Sequence, residues 1–127
     1  TRIASMGSSA VFGWRVEESA FTLVEFASGA HGELGISFAV PHSGNILEIY
    51  GTEGTLLLGK QMRLLTEAGE ETLPVEFPDY YSGLLDHFCR SLAEDDPPLA
   101  SGLDGLRNLE AIATAYRSTR ENAILPL

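Results

Sequence analysis

The sequence predicts an α+β fold: an open, largely antiparallel sheet of about six strands, with two C-terminal helices packed on one face and the other face free for oligomerisation. Three observations predict it. Residues 1–76 alternate apolar and polar positions with a period of two, broken by glycine turns. From residue 80 the apolar spacing changes to three and four, the period of a helix. The charge divides along the same line. The 127 residues carry a net charge of −10; residues 1–66 hold four basic and six acidic groups, residues 67–127 four basic and twelve acidic.

Each element follows from its residues. Arg2 to Met6 is an additional strand, and Gly7 to Arg15 carries no clear period. Ala20 to Phe26 is rich in strand formers, and Ala27-Ser28-Gly29-Ala30 then reads as a hairpin turn. His31 to Val40 alternates cleanly. Leu34, Ile36, Phe38 and Val40 point one way; Glu33, Gly35, Ser37 and Ala39 point the other. Pro41 to Gly44 is a loop, and Asn45 to Tyr50 resumes as a strand. Gly51-Thr52-Glu53-Gly54 is a tight turn into Thr55 to Leu58. Met62 to Thr66 and Thr72 to Glu76 form a further hairpin across Glu67 to Glu71.

Asp79 caps a helix from Tyr80 to about Ala93, with Tyr81, Leu84, Leu85, Phe88 and Leu92 on one face. That helix must stop before Pro97-Pro98. Ser101 and Asp104 have the spacing of a capping box, with Asp in place of the usual Glu. They open a second helix from Gly102 to about Glu121, whose apolar stripe is Leu106, Leu109, Ile112, Ala113 and Tyr116. Ile124 to Leu127 returns as a short edge strand, where proline is tolerated. The whole chain, 1–127, is read as a single α+β domain. Its helices cover one sheet face and turn their acidic sides to water.

Composition narrows the function. A net charge of −10 argues against nucleic acid, because phosphate binding is driven by Lys and Arg. No apolar run approaches the ~18 residues of a membrane helix. One cysteine, Cys89, excludes an internal disulfide framework; with no secretory apolar region, a reducing cytoplasm is expected. The second sheet face carries little charge, and nothing in the chain is predicted to cover it. Phe21 and Leu23 lie on the face opposite Val24 and Phe26. We therefore expect Phe21, Leu23, Glu33 and Ser37 to meet a second subunit, in a homodimer or larger assembly. The plainer alternative is an antiparallel sheet with one solvated face.

Motifs for chemistry are sparse. No two glycines flank a single residue, which excludes both G-x-G-x-x-G and, with the strand–helix alternation missing, a dinucleotide fold. There is no G-x-S-x-G elbow and no H-E-x-x-H pair. His87 and Cys89 are two positions apart, about 200° around a helix, and cannot share a metal. No metal site, no catalytic residue and no cofactor-binding residue is expected. Cys89 reads as a small buried apolar group and His87 as a helix-surface or packing residue. The polar candidates for substrate contact are His42 and Asn45, in a loop at a strand end, and Tyr80, at a helix start whose amides attract anions or hydroxyls. A plain connection or a packing role is the competing reading for each.

Several stretches, in order, resemble a known family. They are Glu18-Ser19-Ala20-Phe21, Phe26-Ala27-Ser28-Gly29-Ala30, Leu47-Glu48-Ile49-Tyr50-Gly51-Thr52-Glu53-Gly54-Thr55-Leu56, Leu85-Asp86-His87-Phe88, Pro97-Pro98-Leu99, Ser101-Gly102-Leu103-Asp104-Gly105-Leu106 and Ala115-Tyr116-Arg117-Ser118. Together they look like the C-terminal domain of the glucose–fructose oxidoreductase, inositol dehydrogenase and rhizopine-catabolism (Gfo/Idh/MocA) oxidoreductases, over roughly residues 16–122. The resemblance implies a two-domain parent. An N-terminal Rossmann domain binds NAD or NADP, and the C-terminal sheet forms a wall of the substrate pocket and commonly the subunit interface. It implies hydride transfer to or from a sugar, cyclitol or related hydroxy compound. The family's catalytic lysine motif, E-K-P, is missing: the only lysine is Lys60. Its D-x-x-x-H helix is missing too, so no catalytic residue transfers to a position here.

Two functions are therefore expected. The first is a truncated C-terminal substrate-binding and oligomerisation domain, beginning at Thr1, inactive alone and partnered by the Rossmann domain it lacks. In the parent, a preceding helix would cover part of the sheet. The second is a stand-alone assembly or small-ligand-binding module with the same fold and no enzyme activity.

Overall fold

The computed structural model describes residues 1–41, 47–74 and 79–127. These residues form two compact units, Thr1–Pro41 with Leu99–Leu127, and His42–Pro98. The expected α+β class is borne out, with two four-stranded antiparallel sheets in place of one sheet of six.

In the first unit, β1 (Arg2–Ser8), β2 (Ser19–Glu25) and β3 (His31–Ser37) form a meander. The β2–β3 turn closes where the Phe26 N–H donates to Ala30 O at 2.9 Å. β3 ends at Ser37, three residues earlier than its alternation suggests, although the Phe38 N–H still donates to Glu18 O at 2.8 Å.

In the second unit, β4 (Leu47–Tyr50), β5 (Thr55–Leu58), β6 (Met62–Thr66) and β7 (Gly69–Leu73) form a second meander, followed by α1 (Tyr80–Glu94). The β6–β7 turn is tighter than expected: Thr66 pairs with Gly69, which leaves Glu67 and Ala68 as the turn. Glu70 thereby becomes a strand residue, and its carboxylate accepts from the Arg63 guanidinium at 3.0 Å across the pair. The expected continuation of this strand to Val75 and Glu76 lies outside the described residues. At the start of α1 the Asp79 carboxylate accepts from the Tyr81 N–H at 3.2 Å and the Ser82 hydroxyl at 2.9 Å. The helix ends at Asp95 in the left-handed conformation, before Pro97.

The chain then returns to the first unit as α2 (Gly102–Glu121) and β8 (Leu125–Pro126). β8 pairs with β1, so that sheet runs β3-β2-β1-β8. Both halves of the predicted capping box form, joining Ser101 and Asp104 reciprocally. α2 packs on β1 and β8, but not through its large apolar stripe. Its buried residues are Thr114 and Ser118, while Leu106 and Leu109 stay exposed. Short side chains let the helix axis approach the strand closely. Ser118, only 1% exposed, reaches the β1 backbone: its hydroxyl accepts from the Ser5 N–H at 2.9 Å and donates to Ala123 O at 2.6 Å. Among the described residues Ile3 is the apolar side chain buried beneath this contact.

Candidate functional site

Strand parity and register divide the first sheet into two faces. One carries Ile3, Ser5 and Gly7 of β1, Ala20, Thr22 and Val24 of β2, and Gly32, Leu34 and Ile36 of β3. α2 covers its β1 side. Over β2 and β3 the face stays open as a groove of about 650 Å³, walled on the helix side by Ala111, Ile112, Ala115, Tyr116 and Thr119. Its lining is mainly apolar. The polar exceptions include the Ser5 hydroxyl, 2.8 Å from that of Thr22, and a cluster at one end made by Ser8, Ser9, Arg15, Glu17 and Tyr116. The Tyr116 hydroxyl donates to the Glu17 carboxylate. That bond and the carboxylate charge stabilise the protonated phenol, so the Tyr116 pKa is raised above its ordinary value of 10.0.

The loop between β1 and β2 is held by Glu18, which is 2% exposed. Its carboxylate accepts from the backbone N–H groups of Val11 and Phe12, the latter at 2.7 Å. A buried carboxylate is tolerated only when such donors replace its water. The loop presents Phe12 stacked on Trp14 at a centroid distance of 4.9 Å, with Phe38 6.0 Å from Trp14.

The opposite face carries Met6 of β1, Phe21 and Leu23 of β2, and Glu33, Gly35 and Ser37 of β3. The four residues expected at a subunit contact thus fall on one face. Leu23 pairs with Glu33, the Ser19 and Ser37 hydroxyls lie 2.6 Å apart, and Phe21 pairs with Gly35. A β-carbon on Gly35 would stand 3.1 Å from the Phe21 ring, so glycine is what lets that ring lie across β3. Met6, Phe21 and Leu23 are all exposed.

The substrate candidates are placed differently. His42 and Asn45 lie outside the described residues. Tyr80 is the first residue of α1; its side chain also lies outside them. Cys89 is exposed rather than buried: among the described residues of α1 only His87 and Ser91 are half-buried, and the rest are exposed. The His87 Nδ1 lies 3.2 Å from the Ser91 hydroxyl, one turn along α1. Among the described residues no three His, Cys, Asp or Glu side chains converge as a metal site. Nor is any described helix long and apolar enough to cross a membrane.

In a dinucleotide-binding fold the pyrophosphate sits at an open helix N-terminus. Here both helix starts are closed by carboxylates, Asp79 on α1 and Asp104 on α2. A second anion at either would meet a negative charge. The described helix starts do not fit a pyrophosphate.

Residues 4–127 match the model of the Gfo/Idh/MocA oxidoreductase family, C-terminal alpha/beta domain. The chain belongs to this family. As a Gfo/Idh/MocA C-terminal domain it is 29% identical to the NAD(+)-dependent scyllo-inositol 2-dehydrogenase of Bacillus subtilis, over 81% of this chain and 33% of that protein. Its fold is similar to that of aldose-aldose oxidoreductase from Caulobacter crescentus, solved with glycerol (TM-score 0.85, 24% identity, 99% of this chain and 41% of that one). It is also similar to UDP-N-acetylglucosamine 3-dehydrogenase from Acidithiobacillus ferrooxidans (TM-score 0.82, 16% identity, 91% and 38%). The Gfo/Idh/MocA domain therefore spans about a third of the curated relative and about two-fifths of the solved chains.

The groove-end cluster was not legible in the sequence of this domain. Glu17 and Tyr116 are 99 positions apart, and neither lies in a local motif that announces the other.

Proposed function

We propose that this chain is the substrate-side and self-association domain of a cytoplasmic NAD(P)-dependent oxidoreductase. The parent enzyme acts on a sugar, cyclitol or related hydroxy compound by hydride transfer. The chain alone binds no nicotinamide and transfers no hydride; the cofactor belongs to an N-terminal Rossmann domain that acts as its partner. The observation that carries this reading is the family match across residues 4–127. The scyllo-inositol dehydrogenase relative supports the cofactor and substrate class. The carboxylate-closed helix starts support the absence of a dinucleotide site in the chain itself. The Phe21, Leu23, Glu33 and Ser37 face supports self-association as a homodimer or larger assembly, because an exposed apolar patch rimmed by polar groups marks such contacts. His42, Asn45 and Tyr80 remain the proposed substrate contacts.

The test is a fluorescence titration of NADH with the isolated chain, alongside an assay for NAD(P)H formation with cyclitols and aldoses. No saturable change and no turnover are expected. Tight NADH binding would overturn the division of labour. The reading frame upstream of Thr1 tests the parent: continuation into a G-x-G-x-x-G strand–helix unit supports it. An in-frame start just before Thr1 supports a stand-alone module instead.

A further inference from the structure

We draw no further inference here: the strongest candidate, the apolar groove beside α2 over β2 and β3 with Arg15, Glu17 and Tyr116 at one end, is an open face of the site already described, and nothing in the structure shows what covers it.

Discussion

Ser118→Ala removes one oxygen atom and leaves two backbone groups without a partner. β8 is two residues long and pairs only with Arg2 and Ile3. The Ser5 N–H, further along that edge of β1, therefore has no strand to bond and takes the Ser118 hydroxyl at 2.9 Å. The same hydroxyl satisfies Ala123 O at 2.6 Å, just past the end of α2. Each hydrogen bond contributes about 1 kcal/mol net, and a buried donor left bare costs about 1–3 kcal/mol. The expected loss is about 2–4 kcal/mol. The unit that holds Ser118 has about 70 residues, and a fold of that size has roughly 4–10 kcal/mol of stability. The substitution should therefore consume a large share of it. Trp14 is the only tryptophan and lies in this same unit, so its emission during urea unfolding reports on this unit alone. With a slope of about 1–2 kcal/mol per molar urea, the midpoint should fall by at least about 1 M. Ser28→Ala, at an exposed turn, should stay within about 0.5 kcal/mol. A midpoint shift for Ser118→Ala no larger than that of Ser28→Ala would refute the reasoning.

Two further substitutions test the turn and the cap. A β-carbon on Gly54 would stand 2.5 Å from Leu65 O, so Gly54→Ala must push two paired strands apart; nothing lies within 4 Å of the same atom on Gly83. We expect Gly54→Ala to cost about 1–3 kcal/mol and Gly83→Ala to gain up to about 1 kcal/mol in α1. Hydrogen exchange in β5, β6 and α1 reads both, and equal effects at the two sites would contradict the close approach. At α2, the Ser101 N–H and hydroxyl, with a smaller contribution from Arg107, hold the Asp104 pKa below its ordinary 3.8. A carboxylate held ionised in the native state stabilises fully above its unfolded pKa, and that contribution is lost as the pH falls through the lower native pKa. Helix content followed by circular dichroism from pH 5 down to pH 2 should show an acid-side loss that Asp104→Asn makes smaller; an unchanged acid profile in the variant would remove the cap from the account.

The elements were legible because their signals are local. Strand-forming residues located β2 and period-two alternation located β3, and Asp79, Ser101 and Asp104 marked the helix starts through side chains that reach only two or three residues. Parity joined Phe21 with Leu23 and Glu33 with Ser37, since a strand's side chains must alternate, and the register of β2 on β3 puts both pairs on one face. The division into two sheets was not legible: every described pairing except β1–β8 joins consecutive strands, so a run of hairpins reads the same whether β3 and β4 share a sheet or not. The face of α2 that meets the sheet was misread for a different reason. Hydrophobicity marks Leu106, Leu109 and Ile112 as the obvious stripe, but close packing on β1 selected Thr114 and Ser118, and of those three only Ile112 reaches the groove wall. Size, rather than apolarity, decided that contact. The groove-end cluster escaped because Glu17 and Tyr116 meet only in three dimensions.

That orientation of α2 changes how self-association must be tested. Besides the open groove, the unit with α2 exposes the Phe21–Leu23 sheet face, with Leu23 59% exposed, and the outer stripe of α2, with Leu109 64% exposed. Either could hold two copies together, so a dimer mass from light scattering would not by itself identify the contact. Paired charge substitutions can. Leu23→Lys places an ammonium opposite Glu33, where a cross-strand ion pair supports the fold while charging the face. Leu109→Lys charges the helix stripe at a site that the sheet does not contact. A stable dimer needs roughly 1,200–2,000 Å² of total buried surface, and a desolvated lysine near its centre would weaken it by several kcal/mol. If the sheet face is the contact, Leu23→Lys becomes monomeric at micromolar concentration and Leu109→Lys keeps the parent mass. The reverse pattern would assign association to α2 and sink the sheet-face proposal. A parent chain already monomeric at that concentration would sink it too.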